Sequence, residues 1–313
     1  MPAAGKSILR KIKLVSARHG TNARYSQALP GPGQVLVKIK AFGLNRMDIM
    51  QREGRYALPP GASPILGVEF SGHVAEVGEG VTEWKEGDEV LGLAAGGAYA
   101  EYIVAPHKNL LRRPANLSWE EAAGIPENFL TAFQALVVLA EVKNGDDVLI
   151  HAGASGVGIA AIQLARLYGA NTVTATASTA EKLEWLLAQP QGATHAVNYK
   201  TQDFAAEVKR TTHGRGVDVI IDFVGQSHWH KNIDALAVDG RMTMLALLSG
   251  AEVASADLIA RFGREVLGSI TGCGGAGPLK VFIHKVYPWK EIQDAHREME
   301  ANKNSGKIIA VVG

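Results

Sequence analysis

A single cysteine, Cys273, stands in a chain of 313 residues. One thiol cannot close an intrachain disulfide or supply a multi-cysteine zinc or iron–sulfur site, so a secreted disulfide scaffold is excluded and a reducing compartment is expected. Long apolar runs are missing as well. The longest, residues 129–140, contains Gln134 and falls short of the ~20 residues a membrane-spanning helix needs. An excess of either charge is also lacking: 32 Lys and Arg face 31 Asp and Glu, a net of +1, which leaves no global field to draw the chain to nucleic acid or anionic lipid. Acidic residues are absent before Asp48, whereas nine Lys or Arg precede it. That basic start slightly resembles a targeting segment. Because the strand pattern QVLVKIK begins already at Gln34, the reading preferred here is an untargeted, cytoplasmic protein.

What is abundant is glycine, 35 residues, clustered as at 153–158 and without a collagen-like period, which points to tight turns and close backbone approach. From Gln34 to about Ala105 short strands are broken by Gly and Pro: QVLVKIK, SGHVAEVG (71–78), DEVLGLA (88–94) and AYAEYIVA (98–105). This half reads as an antiparallel, partly barrel-like β domain. After Pro126 the rhythm becomes strand, glycine turn and helix. DVLIHAG (147–153), TVTATA (172–177), HAVNY (195–199), DVIIDFVG (218–225), RMTMLAL (241–247) and EVLGSIT (265–271) are the strands. Near-continuous apolar strands alternating with helices are what a parallel sheet covered on both faces requires. The tail reads as one amphipathic helix over 287–303 and a final strand, KIIAVV (307–312), packing back on the first domain.

The strongest motif is the loop Gly153-Ala154-Ser155-Gly156-Val157-Gly158, entered from an apolar strand and leading into a helix. Such a turn leaves free N–H groups at a helix N-terminus aimed at a pyrophosphate. Ser155 takes the place of the second glycine of the dinucleotide fingerprint. Beyond the next strand an NAD site wants a carboxylate for the ribose 2′-hydroxyl, yet residues 175–180 read ATASTA. Ser178 and Lys182 are instead suited to a 2′-phosphate, so NADPH is the expected cofactor.

LNRMDIMQREGRY (44–56), PILGVEFSGHVAEVG (64–78), AAGIPENFLTAFQAL (122–136), the 151–158 loop, DFVG (222–225) and EANKNSGKI (300–308) together resemble the medium-chain dehydrogenase/reductase superfamily. Within it the chain is most similar to the zinc-free quinone oxidoreductases of the p53-inducible type. The resemblance implies an α/β architecture of two domains. Residues 1–125 and 274–313 would form a GroES-like, partly open β-barrel domain that holds substrate. Residues 126–273 would form a doubly wound, parallel-sheet Rossmann domain that binds NADP. It also implies that Asn45, Tyr56 and Thr131 face the nicotinamide and the acceptor. Tyr199, Val224, Gly225, Ala246, Leu247, Ser269 and Asn304 would be further cofactor contacts, and a homodimer would pair through the strand at 265–271.

Zinc-dependent members carry Cys where Asn45 stands and His where Val68 stands, and amide and alkyl groups do not replace thiolate and imidazole. No metal is therefore expected, and His228-Trp229-His230 is read as surface chemistry. No buried acid/base pair is evident in the sequence. The expected reaction is transfer of hydride, or of electrons stepwise, from NADPH to a quinone, with Asn45 and Tyr56 steadying the oxyanion. A reductase of α,β-unsaturated ketones and aldehydes is the enzymatic rival. A binder of single-stranded RNA or a structural protein on a retained reductase fold is the rival of another class, disfavoured by the balanced charge and the lack of an aromatic-plus-basic strip. Between Ser269 and Tyr287 the family has a further helix-length segment, whereas this chain has a short stretch with glycines over 272–277. A truncated variant with weak activity or none is one expectation from that departure.

Overall fold

The computed structural model describes residues 11–15, 22–26, 29–245 and 280–312. Ala246, Leu247, Ser269, Cys273 and the expected strand at 265–271 lie outside the described residues. The chain opens with a two-stranded antiparallel hairpin, β1 (Lys11–Val15) and β2 (Asn22–Ser26). Next come β3 (Gln34–Gly43), helix α1 (Arg46–Arg52), β4 (Glu69–Val77), β5 (Glu89–Leu93), β6 (Tyr102–Pro106) and β7 (Leu110–Arg112). Helices α2 (Trp119–Ala123) and α3 (Pro126–Phe133) lead out of this half. Ser118 caps α2 by accepting from the Glu121 N–H, and Pro126 opens α3 where its missing N–H costs nothing.

The second half runs β8 (Asp147–Ile150), α4 (Gly156–Leu167), β9 (Thr172–Ala177), α5 (Ala180–Ala188), β10 (His195–Asn198), α6 (Phe204–Thr211), β11 (Val217–Asp222), α7 (Trp229–Ala235) and β12 (Leu236–Met244). All four strand pairings in this sheet are parallel, in the order β10-β9-β8-β11-β12. The expected alternation of strand and helix is therefore observed, with Val148, Ile150, Val173 and Val219 fully buried against α4. Sequence order reverses at β8, so the crevice beyond its carboxyl end is where such sheets bind ligands.

The tail returns to the first half. β13 (Ile283–Pro288), helix α8 (Ile292–Glu300) and β14 (Lys307–Val311) follow, and β14 pairs antiparallel with β3. The barrel sheet thus runs β13-β14-β3-β4-β5-β7, and β6 pairs off this path with residues 34–38 of β3, ahead of the stretch 41–43 that takes β14. Three element boundaries differ from expectation. Residues 287–288 end strand β13, because Pro288 has no N–H to give a helix, and α8 starts only after a turn of 3₁₀-helix. AYAEYIVA is extended only from Tyr102, since Gly96 and Gly97, at φ +142° and +103°, turn the chain and an Ala100-to-Ala98 bond tightens it. β12 begins at Leu236, earlier than the RMTM run suggested.

That turn drives Tyr99 into the barrel core, where its ring stacks on Phe42 at 4.6 Å, a pair worth about 0.5–1.5 kcal/mol beyond area burial. Gly67 makes room for it. At φ +88°, a Cβ on residue 67 would stand 2.3 Å from the Tyr99 ring, so only glycine fits. Leu66, Phe70, Val90 and Ile308 pack in the same core.

Candidate active site

Three elements of the barrel and one of the nucleotide half bring charged groups into a common buried cluster. Glu69 opens β4 and is fully buried, and Lys307 opens β14 at 3% exposure. Lys307 Nζ pairs with Glu69 Oε1 and donates to Asn45 Oδ1 at 2.7 Å and Asn128 Oδ1 at 3.2 Å. Asn45 Nδ2 donates to Glu69 Oε1 at 2.9 Å, while the Glu127 N–H donates to Glu69 Oε2 at 2.9 Å. Both oxygens of Glu69 therefore have donors. The Glu127 carboxylate receives the Thr131 hydroxyl at 3.3 Å, one turn on along α3. Burial first, then the charge of Glu69, pushes the Glu127 carboxyl up to about 7.

A second chain of bonds lies behind α1. Asp48 accepts the Asn45 N–H at 2.7 Å, the Gly67 N–H at 3.2 Å and the Tyr99 hydroxyl at 2.9 Å. Burial raises its carboxyl to about 6 against the pull of those donors. Tyr99 also meets His296 Nε2 at 3.2 Å, and Arg52 lies 2.9 Å from His296 Nδ1. Arginine can only donate, so Nδ1 accepts and Nε2 carries the ring proton. Burial, then the charge of Arg52, depresses the His296 imidazole to about 4.

Of the residues expected to face the acceptor, Asn45 is the N-cap of α1 and a member of the Glu69–Lys307 cluster. Thr131 reaches Glu127 on the same cluster. Tyr56 is half-buried, and its hydroxyl is pushed above the usual phenol range by burial, then by Glu127 and Asp48. It stays a proton donor at neutral pH. Sequence reasoning missed Glu69, Glu127, Asp48 and Lys307, the charged groups that surround Asn45 and Thr131. Glu69, Glu127 and Lys307 stand in GVEF, IPEN and SGKI, and nothing in the spacing of those letters shows that three distant segments meet.

The glycine loop adjoins this cluster. Ser155, in the second-glycine position, is the N-cap of α4 and accepts the Gly158 N–H at 3.0 Å. The N–H groups of Gly156 and Val157 stand in the first turn, where no intrahelical acceptor exists. A Cβ on Gly156 would lie 2.6 Å from Asn128 Oδ1, and one on Gly158 2.4 Å from the Ala152 carbonyl oxygen. Gly153 packs on β9, its N–H bonded to the Thr176 carbonyl at 2.9 Å. Ala154 accepts the Gly306 N–H at 3.0 Å, which seats the 302–306 segment on the loop, and Asn304 Nδ2 braces that segment by donating to the Gly306 carbonyl at 3.0 Å. The residues present thus fit a dinucleotide: a twelve-residue helix with open first-turn donors, glycines with no space for a side chain, and a sheet switch point beside them.

At the end of β9, Ser178 is half-buried and Lys182 donates to the Asn302 carbonyl at 2.6 Å instead of standing free in solvent. Tyr199 is 38% exposed and Val224 40% exposed, each just past the end of its strand. Gly225, at φ +81°, closes the turn after β11, with its N–H and that of Val224 bonded to Asp222. His228 corrects the surface reading: it is buried, stacked on Phe204 at 5.1 Å and edge-on to His151 at 4.8 Å. His151 in turn bonds Thr176 at 3.0 Å and Asn232 at 2.7 Å, and burial drops its imidazole to about 4.

Comparison with known proteins agrees with this arrangement. The zinc-binding dehydrogenase family model matches residues 156–282, and the alcohol dehydrogenase GroES-like domain matches residues 31–115. The synaptic vesicle membrane protein VAT-1 homolog of Rattus norvegicus is 33% identical over 91% of this chain and 78% of its own length. The chain belongs to the medium-chain dehydrogenase/reductase superfamily. Similar solved structures include an NAD-dependent alcohol dehydrogenase, 33% identical with a TM-score of 0.83 over 97% of this chain and 100% of the other. The JamJ enoyl reductase is 31% identical with a TM-score of 0.82 over 97% and 100%. The quinone oxidoreductase of Pseudomonas syringae pv. Tomato DC3000 is 29% identical with a TM-score of 0.81 over the same shares. This medium-chain reductase is accordingly an oxidoreductase whose Rossmann half takes a nicotinamide dinucleotide. Among the described residues no helix is long and apolar enough to cross a membrane.

Proposed function

We propose that the chain is a zinc-independent NADPH:quinone oxidoreductase of the p53-inducible type, acting as a homodimer in the cytoplasm. The observation that carries this reading is the convergence of Asn45 and Thr131 on the Glu69–Glu127–Lys307 cluster, directly beside the glycine loop through Asn128. The Lys307 ammonium sits against Asn45, where zinc-dependent relatives have a thiolate ligand, and Val68 is buried alkyl where they have imidazole. NADPH when bound supplies the hydride. The protein's part is to hold the acceptor flat on the nicotinamide and to steady the developing oxyanion with the Tyr56 hydroxyl and the Asn45 amide.

The NADPH preference rests on Ser178, Lys182 and the missing acid at 175–180, with Tyr199, Val224, Gly225 and Asn304 as further contacts, joined by Ala246, Leu247 and Ser269. The likeness to the Pseudomonas quinone oxidoreductase supports a quinone acceptor. The likeness to the JamJ enoyl reductase supports a second reading, reduction of a polarised enone. The test is steady-state oxidation of NADPH and of NADH with 1,4-benzoquinone, 9,10-phenanthrenequinone and an alkenal. NADPH-selective turnover of the quinones is expected. Turnover of the alkenal alone would select the second reading, and a salt-dependent RNA shift without NADPH oxidation would replace both.

A further inference from the structure

We propose that Glu127 is the positioning residue that stores the proton the reduced acceptor takes up, and that Thr131 hands it on. This rests on the reading of the site as a quinone or enone reductase. A hydride brings two electrons and one hydrogen nucleus to a quinone, leaving a hydroquinone monoanion, while the dihydronicotinamide is oxidised by two electrons. One proton is still needed for the neutral hydroquinone. In the relay, the Glu127 O–H bond breaks as its proton passes to Thr131 Oγ1, and the Thr131 proton passes to the acceptor oxygen. The Glu127 carboxylate then recovers a proton from water.

The geometry assigns these roles unequally to two neighbouring glutamates. Glu69 is fully buried, paired with Lys307 and bonded by the Asn45 amide and the Glu127 N–H, so both its oxygens are engaged inside the protein. Glu127 is partly open to solvent and has the Thr131 hydroxyl 3.3 Å from Oε1. The groups facing Glu127 come from every element packed on it: Glu69 of β4 and Asp48 of α1 repel its charge, whereas Lys307 of β14 attracts it. Tyr56 feels the charge of Glu127 from the loop after α1. Burial first, then Glu69 and Asp48 against the single ammonium of Lys307, raises the Glu127 carboxyl to about 7, so it holds a proton near neutrality.

The experiment compares wild type, Glu127→Gln, Glu127→Asp and Thr131→Val, with kcat for 1,4-benzoquinone measured from pH 5.5 to 9 and NADPH affinity followed by fluorescence. Wild-type kcat should fall as pH rises through about 7, because the store is then ionised. Glu127→Gln should lose that limb and be slower by roughly tenfold or more on the acid side, at the low end of general acid effects, with KM for NADPH unchanged. Glu127→Asp should restore a shifted limb, and Thr131→Val should lower kcat while Glu127 is intact. A Glu127→Gln enzyme with wild-type kcat and the wild-type limb overturns the relay while leaving the reductase reading in place. A wild-type chain that binds NADPH but reduces neither quinone nor enone overturns that reading, and the relay with it.

Discussion

Lys182, on the first turn of α5, donates its ammonium to the main-chain oxygen of Asn302 at 2.6 Å, tying the nucleotide-binding sheet to the segment that returns to the barrel. Arg46 of α1 reaches the same residue's side chain and the Met299 carbonyl. Burial and the charge of Arg46 lower the Lys182 ammonium below its ordinary range, so a nearby anion would be welcome there. Replacing Lys182 by Ala should raise KM for NADPH roughly 10- to 100-fold, the ~1.5–3 kcal/mol of a hydrogen bond to a charged group, and leave KM for NADH nearly unchanged. The ratio of the two values, measured in parallel, is the check. Equal effects on both cofactors would assign Lys182 to domain contact alone.

The Glu69–Lys307 pair should be costly to break from one side. Lys307→Met leaves a buried carboxylate without its cation, a loss of about 3–5 kcal/mol. The double variant Lys307→Met with Glu69→Gln should recover much of that, because the surviving amide needs no counter-charge. Urea unfolding of the single and double variants decides it.

Gly156→Ala tests the join between loop and cluster. Its Cβ would press on Asn128, which also bonds the Gly124 carbonyl at 3.0 Å and receives Lys307. Overpacking of this kind costs about 1–3 kcal/mol. Both the unfolding midpoint and the affinity for the dinucleotide should fall, the second measured by fluorescence titration.

Acid should weaken the barrel through His296. An imidazole held neutral down to about pH 4 binds fewer protons folded than unfolded between that value and 6.5, so its contribution to stability rises with pH and is lost as pH falls through the window. Asp48, raised to about 6, acts in the opposite sense over part of the same range. The comparison must therefore be with a variant and not with absolute values. The difference in unfolding free energy between wild type and His296→Gln should be largest near pH 7 and shrink toward pH 4.5, by up to ~1.4 kcal/mol for each pH step within the window. A difference that does not vary with pH would show that the imidazole titrates alike in the folded and unfolded protein.

Much of this architecture was legible in the letters. DVLIHAGASGVG announces strand, glycine turn and helix, because both the apolar run and the glycines have one physical use there, and the observed β8 and α4 follow it. Ser155 was read as a departure, and its cap of α4 explains why a hydroxyl is accepted in that place. Asn45 and Thr131 were singled out and do meet one cluster. The acids of that cluster were invisible, since Glu69, Glu127 and Lys307 lie on three segments and only tertiary pairing makes them neighbours. Local pattern also missed β13, whose FIHKVYP run has no clean alternation, and buried His228, whose ring partners come from the turn after β8, from α6 and from the loop after β10.

The seam between β14 and β3 joins Gly43 to Ile309. On a ribosome adding roughly 5–20 residues each second, on the order of tens of seconds pass between the appearance of one edge and the other. The parallel sheet in between can close meanwhile from strands already made. Glu69 and Asn45 wait through that interval without the ammonium they pair with, and the barrel exposes the flank of β3. A nascent chain that has made Met244 but not Lys307 thus holds every strand of the described parallel sheet while β3 still lacks β14, an edge that a neighbouring strand could take.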